Sequence, residues 1–278
     1  MQLPLESVPN FSEGRERSTI EALTSALGAH AQVLDVHADE DHNRSVYTLV
    51  GDDDAVVDAL VAGIACARER IDLRRHEGAH PRVGAADVVP LVPLRPDDRD
   101  RAGAAALRVA ERVGQELALP VFLYGDLAPE RGPAFFRRGG VEGLQRRIES
   151  GGVIVGARRP LIAFNVNLAT DDVEVARAIA SVVREKGGGF PGVRALGLAL
   201  PRAGHAQVSM NVEDYEAAAL HDILARVEAE AAAHRVDVAG SELVGLMPAA
   251  AAAAAAGAML RIDGFAPSRL LELRLLER

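Results

Sequence analysis

The sequence predicts an α+β protein in which one β-α-β-β-α-β unit is used twice. Segments with apolar residues three and four apart and segments of apolar alternation follow one another in that order before residue 100, and again after residue 160. The chain has 278 residues, long enough for about two domains and for burying roughly three quarters of its unfolded surface. Hydrophobic residues make up 49% and charged residues 26%, the balance of an ordinary globular chain rather than a disordered one.

In the first unit, Leu3 to Val8 reads as a strand that stops at Pro9-Asn10-Phe11-Ser12-Glu13-Gly14, a loop before a helix from Arg15 to Leu27. Val33 to Ala38 and Ser45 to Val50 are strands, joined by the turn residues Asp39-Glu40-Asp41-His42-Asn43. A helix follows from Asp54 to Ile71, and Asp87 to Leu94 is the next strand. Between the units lie a helix from Arg99 to Leu117, a strand from Pro120 to Tyr124 and a polar segment to Ser150.

In the second unit, Leu161 to Leu168 is a strand and Asp171 to Lys186 a helix ended by Gly187-Gly188-Gly189. Val193 to Leu200 and Ala206 to Val212 are strands, Asp214 to Arg235 a long helix, and Val236 to Gly245 a closing strand. The alanine run Ala249 to Ala256 is a plain helix after Pro248, and Arg261 to Arg278 a terminal element. Two such units suggest two ferredoxin-like layers, each with helices on one face of an antiparallel sheet.

Composition excludes several function classes. A net charge of −9, with no basic stripe along any helix, repels a phosphate backbone. Trp is absent and aromatics are 4%, which leaves little for base stacking, so no nucleic-acid partner is expected. The N-terminus shows no secretory pattern, and no strongly apolar stretch reaches the length of a membrane span. Neither a membrane partner nor an internal disulfide is expected, Cys66 being the single cysteine, and the expected location is the cytoplasm.

The chemistry concentrates in Arg74-Arg75-His76-Glu77-Gly78-Ala79-His80-Pro81-Arg82-Val83-Gly84. His76 to His80 matches H-E-x-x-H, a zinc motif that needs both imidazoles on one helical face. Gly78 and Pro81 argue against a helix there, so no metal is expected. As a loop, the stretch offers His80 as a proton carrier beside Arg82, and arginine forks suited to carboxylates, so the expected ligands are small anions.

Several strings together resemble the formiminotransferase family, in family order. They include Val8-Pro9-Asn10-Phe11-Ser12-Glu13-Gly14-Arg15, Asp41-His42-Asn43-Arg44-Ser45-Val46, His76-x-Gly78-x-His80-Pro81-Arg82, Gly156-Ala157-Arg158, Phe164-Asn165-Val166-Asn167-Leu168, Gln207-Val208-Ser209-Met210-Asn211 and Gly240-Ser241-Glu242-Leu243-Val244-Gly245-Leu246. The resemblance implies a homodimeric enzyme of two subdomains, 1–155 and 156–278, with a cleft between them. It implies transfer of the formimino group from N-formimino-L-glutamate to N5 of tetrahydrofolate, a co-substrate, in histidine breakdown.

By the same matching His80 is the acid/base residue and His76 a non-catalytic neighbour. Asn10, His37, Arg44, Arg82, Arg158, Asn165, Gln207 and Glu242 are expected to bind substrate or folate, His37 standing where the family carries a carboxylate. The chain departs from the family in lacking a Pro-Asp-Phe-Gly-Pro-type folate loop, only five residues separating Ser150 from Gly156, and in lacking a cyclodeaminase domain. That departure supports a second reading, a non-catalytic or re-purposed relative that binds folate or another small anion.

Overall fold

The computed structural model describes residues 3–139 and 151–276. The chain divides into two compact units, Met1–Pro160 and Leu161–Arg278. In order, the first unit has strands β1 (Leu5–Ser7) and β2 (Asn10–Phe11), helix α1 (Arg17–Gly28), strands β3 (Gln32–Asp39) and β4 (Arg44–Gly51), and helix α2 (Asp53–Arg70). It continues through β5 (Ala86–Val92), α3 (Arg99–Leu117), β6 (Val121–Gly125), α4 (Pro133–Gly139) and β7 (Val153–Ala157).

The expected first strand is longer than a single run and is interrupted. Val8 and Pro9 break it, because proline has no N–H for the ladder. Pairing then resumes, so that Glu6 faces Val50 and Val92 while Asn10 faces Val46 and Val88. Asn10 and Phe11 are therefore sheet residues, not the loop that the turn-forming string suggests. The strand order is β3, β4, then β1 and β2 together, then β5, all antiparallel.

Two further strands extend this sheet. β7 pairs with β5, and β6 with β7, both in parallel, which corrects the expectation of a purely antiparallel layer. The helix α3 returns the chain as a crossover, and crossovers make parallel neighbours. Every residue of β7 is buried, so its sequence shows no alternation and carries no strand signal of its own. The division expected after residue 155 falls inside this strand. Of the five residues between Ser150 and Gly156, Val153 to Val155 already belong to this interior strand, and residues 140–150 lie outside the described ones.

Helices α1, α2 and α3 cover one face, around Leu23, Leu27, Tyr47, Leu49, Leu60, Ile64 and Val109. Phe11 and Tyr47 meet edge to face at 5.4 Å. Asp52 caps α2 by accepting from Ala55 N–H at 2.9 Å, with Asp53 and Asp54 in the first turn and Arg68 and Arg70 in the last, all of which suit the helix dipole. On the other face a single cross-strand row runs His37, Val46, Asn10, Val88, Ile154, Phe122. Phe136 of α4 packs on the apolar end of that row, its ring 5.2 Å from Phe122. The polar end carries His37 and Asn10.

The second unit has β8 (Ile162–Leu168), α5 (Val173–Val183), β9 (Val193–Leu200), β10 (His205–Val212), α6 (Leu220–Ala233), β11 (Val238–Val244), α7 (Ala249–Leu260) and α8 (Leu271–Leu276). Its sheet runs β11, β8, β10, β9 and is antiparallel throughout. Ile162, Val166 and Leu168 alternate along β8 and meet Ile179, Val183, Ile223 and Val227 of the helices. α6 begins six residues later than Asp214, because Asp214 closes a turn instead, accepting from Ala217 and Ala218 N–H. Among the described residues no helix is long and apolar enough to cross a membrane.

Candidate active site

The His/Arg loop leaves α2 through a 3-10 turn, Leu73–Arg75, and residues 76–80 are not helical. The two imidazoles of H-E-x-x-H therefore do not share a helical face. The loop is laid instead on the β3–β4 turn. Ala79 N–H donates to Asp41 O at 2.9 Å and Asn43 Nδ2 to Glu77 O at 2.9 Å, while Asn43 Oδ1 accepts from Gly14 N–H at 3.0 Å. Asn43 has φ 47°, a left-handed conformation that asparagine tolerates better than most residues. A Cβ on Gly78 would lie 2.3 Å from His42 O, so only glycine permits this approach.

Docking brings His80 against β4. Its Nδ1 lies 2.6 Å from Arg44 Nη1 and 2.7 Å from Pro81 O. A guanidinium only donates and a carbonyl only accepts, so Nδ1 serves one of them at a time. Unprotonated, it accepts from Arg44. Protonated, it donates to Pro81 O and leaves Nε2 as the free base. The His42 ring stacks on the other side, 6.0 Å away at 26°.

Arg44 is itself held. Its Nε donates to Asn10 Oδ1 at 2.9 Å, and its Nη1 is 3.3 Å from Asp87 Oδ2. Asp87, 1% exposed, accepts from Val83 N–H at 2.6 Å and from Arg137 Nη2 of α4. Arg82 Nη2 donates to His80 O at 2.8 Å and to Gly78 O at 3.2 Å, bracing the loop from within. His76 Nε2 lies 3.1 Å from Asn43 O and 3.4 Å from Arg82 Nη1.

Burial, with an excess of cations over anions behind it, sets the protonation of the cluster. Burial is the largest influence on His80, and Arg44, Arg137 and His42 add to it, so its pKa sits well below the usual histidine value although Pro81 O pulls the other way. Burial lowers Arg44 and Arg82 to about 10 each, which leaves both charged at neutral pH. The unliganded site thus holds a neutral imidazole among fixed positive charges, an arrangement that favours an anion.

The remaining expected residues fall in three places. Asn10 and His37 stand on the same sheet face, one pairing with Val46 from each side. Arg158 follows β7, its N–H bonded to Leu91 O at 3.1 Å; its charge acts on Glu6, where burial nevertheless dominates and raises the carboxyl pKa. Glu6 pairs with Val50 and Asn10 with Val46, so Arg158 is about four residues, or roughly 13 Å, along the strands from Asn10. The structure does not bring Arg158 into the hydrogen-bonded cluster around His80.

Asn165, Gln207 and Glu242 belong to the second unit and do come together. Asn165 Nδ2 donates to Glu242 Oε2 at 3.1 Å, and Gln207 Nε2 reaches the same oxygen at 3.3 Å and Asn167 Oδ1 at 2.9 Å. Asn165 faces both Ser209 and Glu242 across the ladder, on the face opposite the α5 and α6 core. Asn165 is 4% and Gln207 1% exposed, so this is a built polar cluster rather than a solvated surface.

Sequence reasoning missed Asp87, Arg137 and Asn167. Asp87 had a usable signal: it is the one charge in the otherwise apolar strand 86–92, and a charge in such a run has to be partnered. Arg137 had none, since α4 sits in a segment without clear periodicity. Cys66 is half-buried against the core, and burial raises its pKa.

Comparison with known proteins agrees with the residue pattern. Residues 4–158 match the N-terminal subdomain of the formiminotransferase domain, and residues 163–264 match the formiminotransferase domain. The chain is 39% identical to a glutamate formimidoyltransferase of Streptococcus pyogenes, over 94% of either chain. It is 38% identical to one of Thermoplasma acidophilum, covering 98% of this chain and 97% of the relative. Rat formimidoyltransferase-cyclodeaminase is 38% identical over 88% of this chain and 50% of its own length. With both subdomains matched in order and the likeness to stand-alone relatives running nearly end to end, the chain belongs to the formiminotransferase family.

Proposed function

We infer that this protein transfers the formimino group of N-formimino-L-glutamate to N5 of tetrahydrofolate. The observation that carries the inference is the docked loop, in which family membership and geometry meet on one residue, His80. The reaction needs a base for the proton of the attacking nitrogen and an acid for the departing amine. His80, neutral and half-buried, takes the N5 proton through Nε2 while Nδ1–H is held by Pro81 O. As the bond from the amidine carbon to the glutamate nitrogen breaks, the same imidazolium returns that proton to the leaving nitrogen. Proton transfer of this kind is worth about 10²–10⁴-fold, and alignment of two bound substrates contributes more.

Arg44 and Arg82 are assigned to the substrate carboxylates, for which their fixed guanidinium forks are suited. Asn10 and His37, on the same sheet face as one another, are assigned to binding, as is Arg158 at its greater distance. Asn165, Gln207 and Glu242 form a second binding cluster whose role rests on the family pattern. Residues of this chain are proposed to hold tetrahydrofolate as a co-substrate, with no metal. The second unit, with strands ordered β11, β8, β10, β9, is proposed as a ferredoxin-like layer, and the first as the same layer extended by β7 and β6. A homodimer and a cytoplasmic location complete the proposal; sedimentation tests the first.

Calorimetry separates this reading from that of a non-catalytic anion binder. Titration with tetrahydrofolate should give heat with saturation, and formiminoglutamate should bind in its presence. A protein that binds small dicarboxylates but shows no heat with tetrahydrofolate at millimolar concentration would be the binder instead.

A further inference from the structure

Asp87 is an unusual residue to find in β5. It is 1% exposed in a strand that is otherwise apolar, and a carboxylate so placed is costly unless paired. Its pairing is concentrated on one task. Val83 N–H, which ends the His80 loop, donates to Oδ1 at 2.6 Å, while Arg44 of β4 and Arg137 of α4 converge on Oδ2. Both arginine side chains are 13% exposed. Burying one carboxylate with two guanidinium groups gains little stability over apolar residues of the same volume, because desolvation offsets the attraction. The group makes more sense as a device for the imidazole beside it.

We propose that Asp87 and Arg137 are positioning residues for His80, the buried carboxylate holding the Arg44 and Arg137 guanidinium groups as a fixed pair beside the imidazole. The proposal rests on His80 being the proton carrier. From β4 Arg44 faces His80, from α4 Arg137, from β5 Asp87, from the β3–β4 turn His42, and from its own loop Arg82 and His76. Within this set Asp87 is the carboxylate on which Arg44 and Arg137 converge. Arg137 Nε is also buried with no hydrogen-bond partner among the described residues, and the arginines around His80 leave the cluster an excess of positive charge to which a substrate carboxylate is drawn. An anion bound there would offset the field of the arginines and make His80 easier to protonate, coupling the base to the arrival of substrate.

Nuclear magnetic resonance of the His80 imidazole, assigned by its loss in His80→Ala, tests this on the free protein. Arg137→Gln removes a cation and should move the His80 titration to higher pH. Asp87→Asn removes an anion and should move it to lower pH. The double variant should return it towards wild type, and Arg137→Lys should leave it nearly in place. An unmoved titration in a folded Arg137→Gln protein would overturn the proposal, as would shifts of the two single variants in the same direction. If Asp87→Asn does not fold, the two Arg137 variants decide alone. In turnover, Asp87→Asn should lower kcat about 10²-fold, as a misplaced catalytic group does, with the acid limb of the pH profile following the titration. Because the titration needs no substrate, it stands or falls separately from the assigned reaction.

Discussion

At the scale of single residues, the two loop histidines make different contacts and should respond differently to removal. His80→Ala should lower kcat at least ~10²-fold with thermal stability almost unchanged, because a half-buried loop imidazole contributes little packing. His76→Ala should retain most activity, since its Nε2 meets a backbone carbonyl and Arg82 rather than Arg44; equal losses in the two variants would contradict the assignment of roles. The lowered pKa of His80 also has a pH signature. Its folded value lies below the unfolded one of about 6.5, so the unfolded chain binds the extra proton first. The stability from keeping His80 neutral is fully present above about pH 6.5 and is lost as pH falls below it, so unfolding in denaturant should ease between pH 7 and 5 and less so in His80→Gln. Catalysis adds a second sign. kcat/KM follows the free enzyme and kcat the bound one, so the acid limb of kcat should lie at higher pH, the substrate carboxylates having offset the arginines.

Among the elements, α4 links packing to chemistry. Phe136 fills the apolar end of the outer sheet face, and Arg137 next to it reaches Asp87. Phe136→Ala should cost about 3 kcal/mol in denaturant unfolding and lower activity as well, because it loosens the helix that carries Arg137. Phe135→Ala should do neither to a similar extent, its side chain being 57% exposed. This helix, like β7, was not legible in the sequence. The alternating helices and strands on either side were, since each buries one face and so writes a period into its residues; α3 spans Arg99–Leu117 as periodicity predicts. β7 is covered on both faces and reads as a short apolar run. α6 shows the reverse error, where the helix-forming residues after Asp214 are spent on a capped turn. At the site, the loop advertised itself by clustering His and Arg, and Asp87 by being a lone charge in an apolar strand, whereas its partner Arg137 carried no signal.

For the whole molecule, the duplicated β-α-β-β-α-β order and the family strings point to two units, and each carries a polar cluster on the sheet face opposite its main helices, α1 to α3 in the first and α5 and α6 in the second. The first holds His80 and its arginines; the second holds Glu242 with Asn165 and Gln207. A catalyst, unlike a binder, turns its substrates over. The most direct measurement mixes purified protein with formiminoglutamate and tetrahydrofolate and follows both 5-formiminotetrahydrofolate and released glutamate. The two products should appear together, in equal amounts and over many turnovers per protein chain. Binding of both substrates with no product above the uncatalysed rate would contradict the assigned reaction.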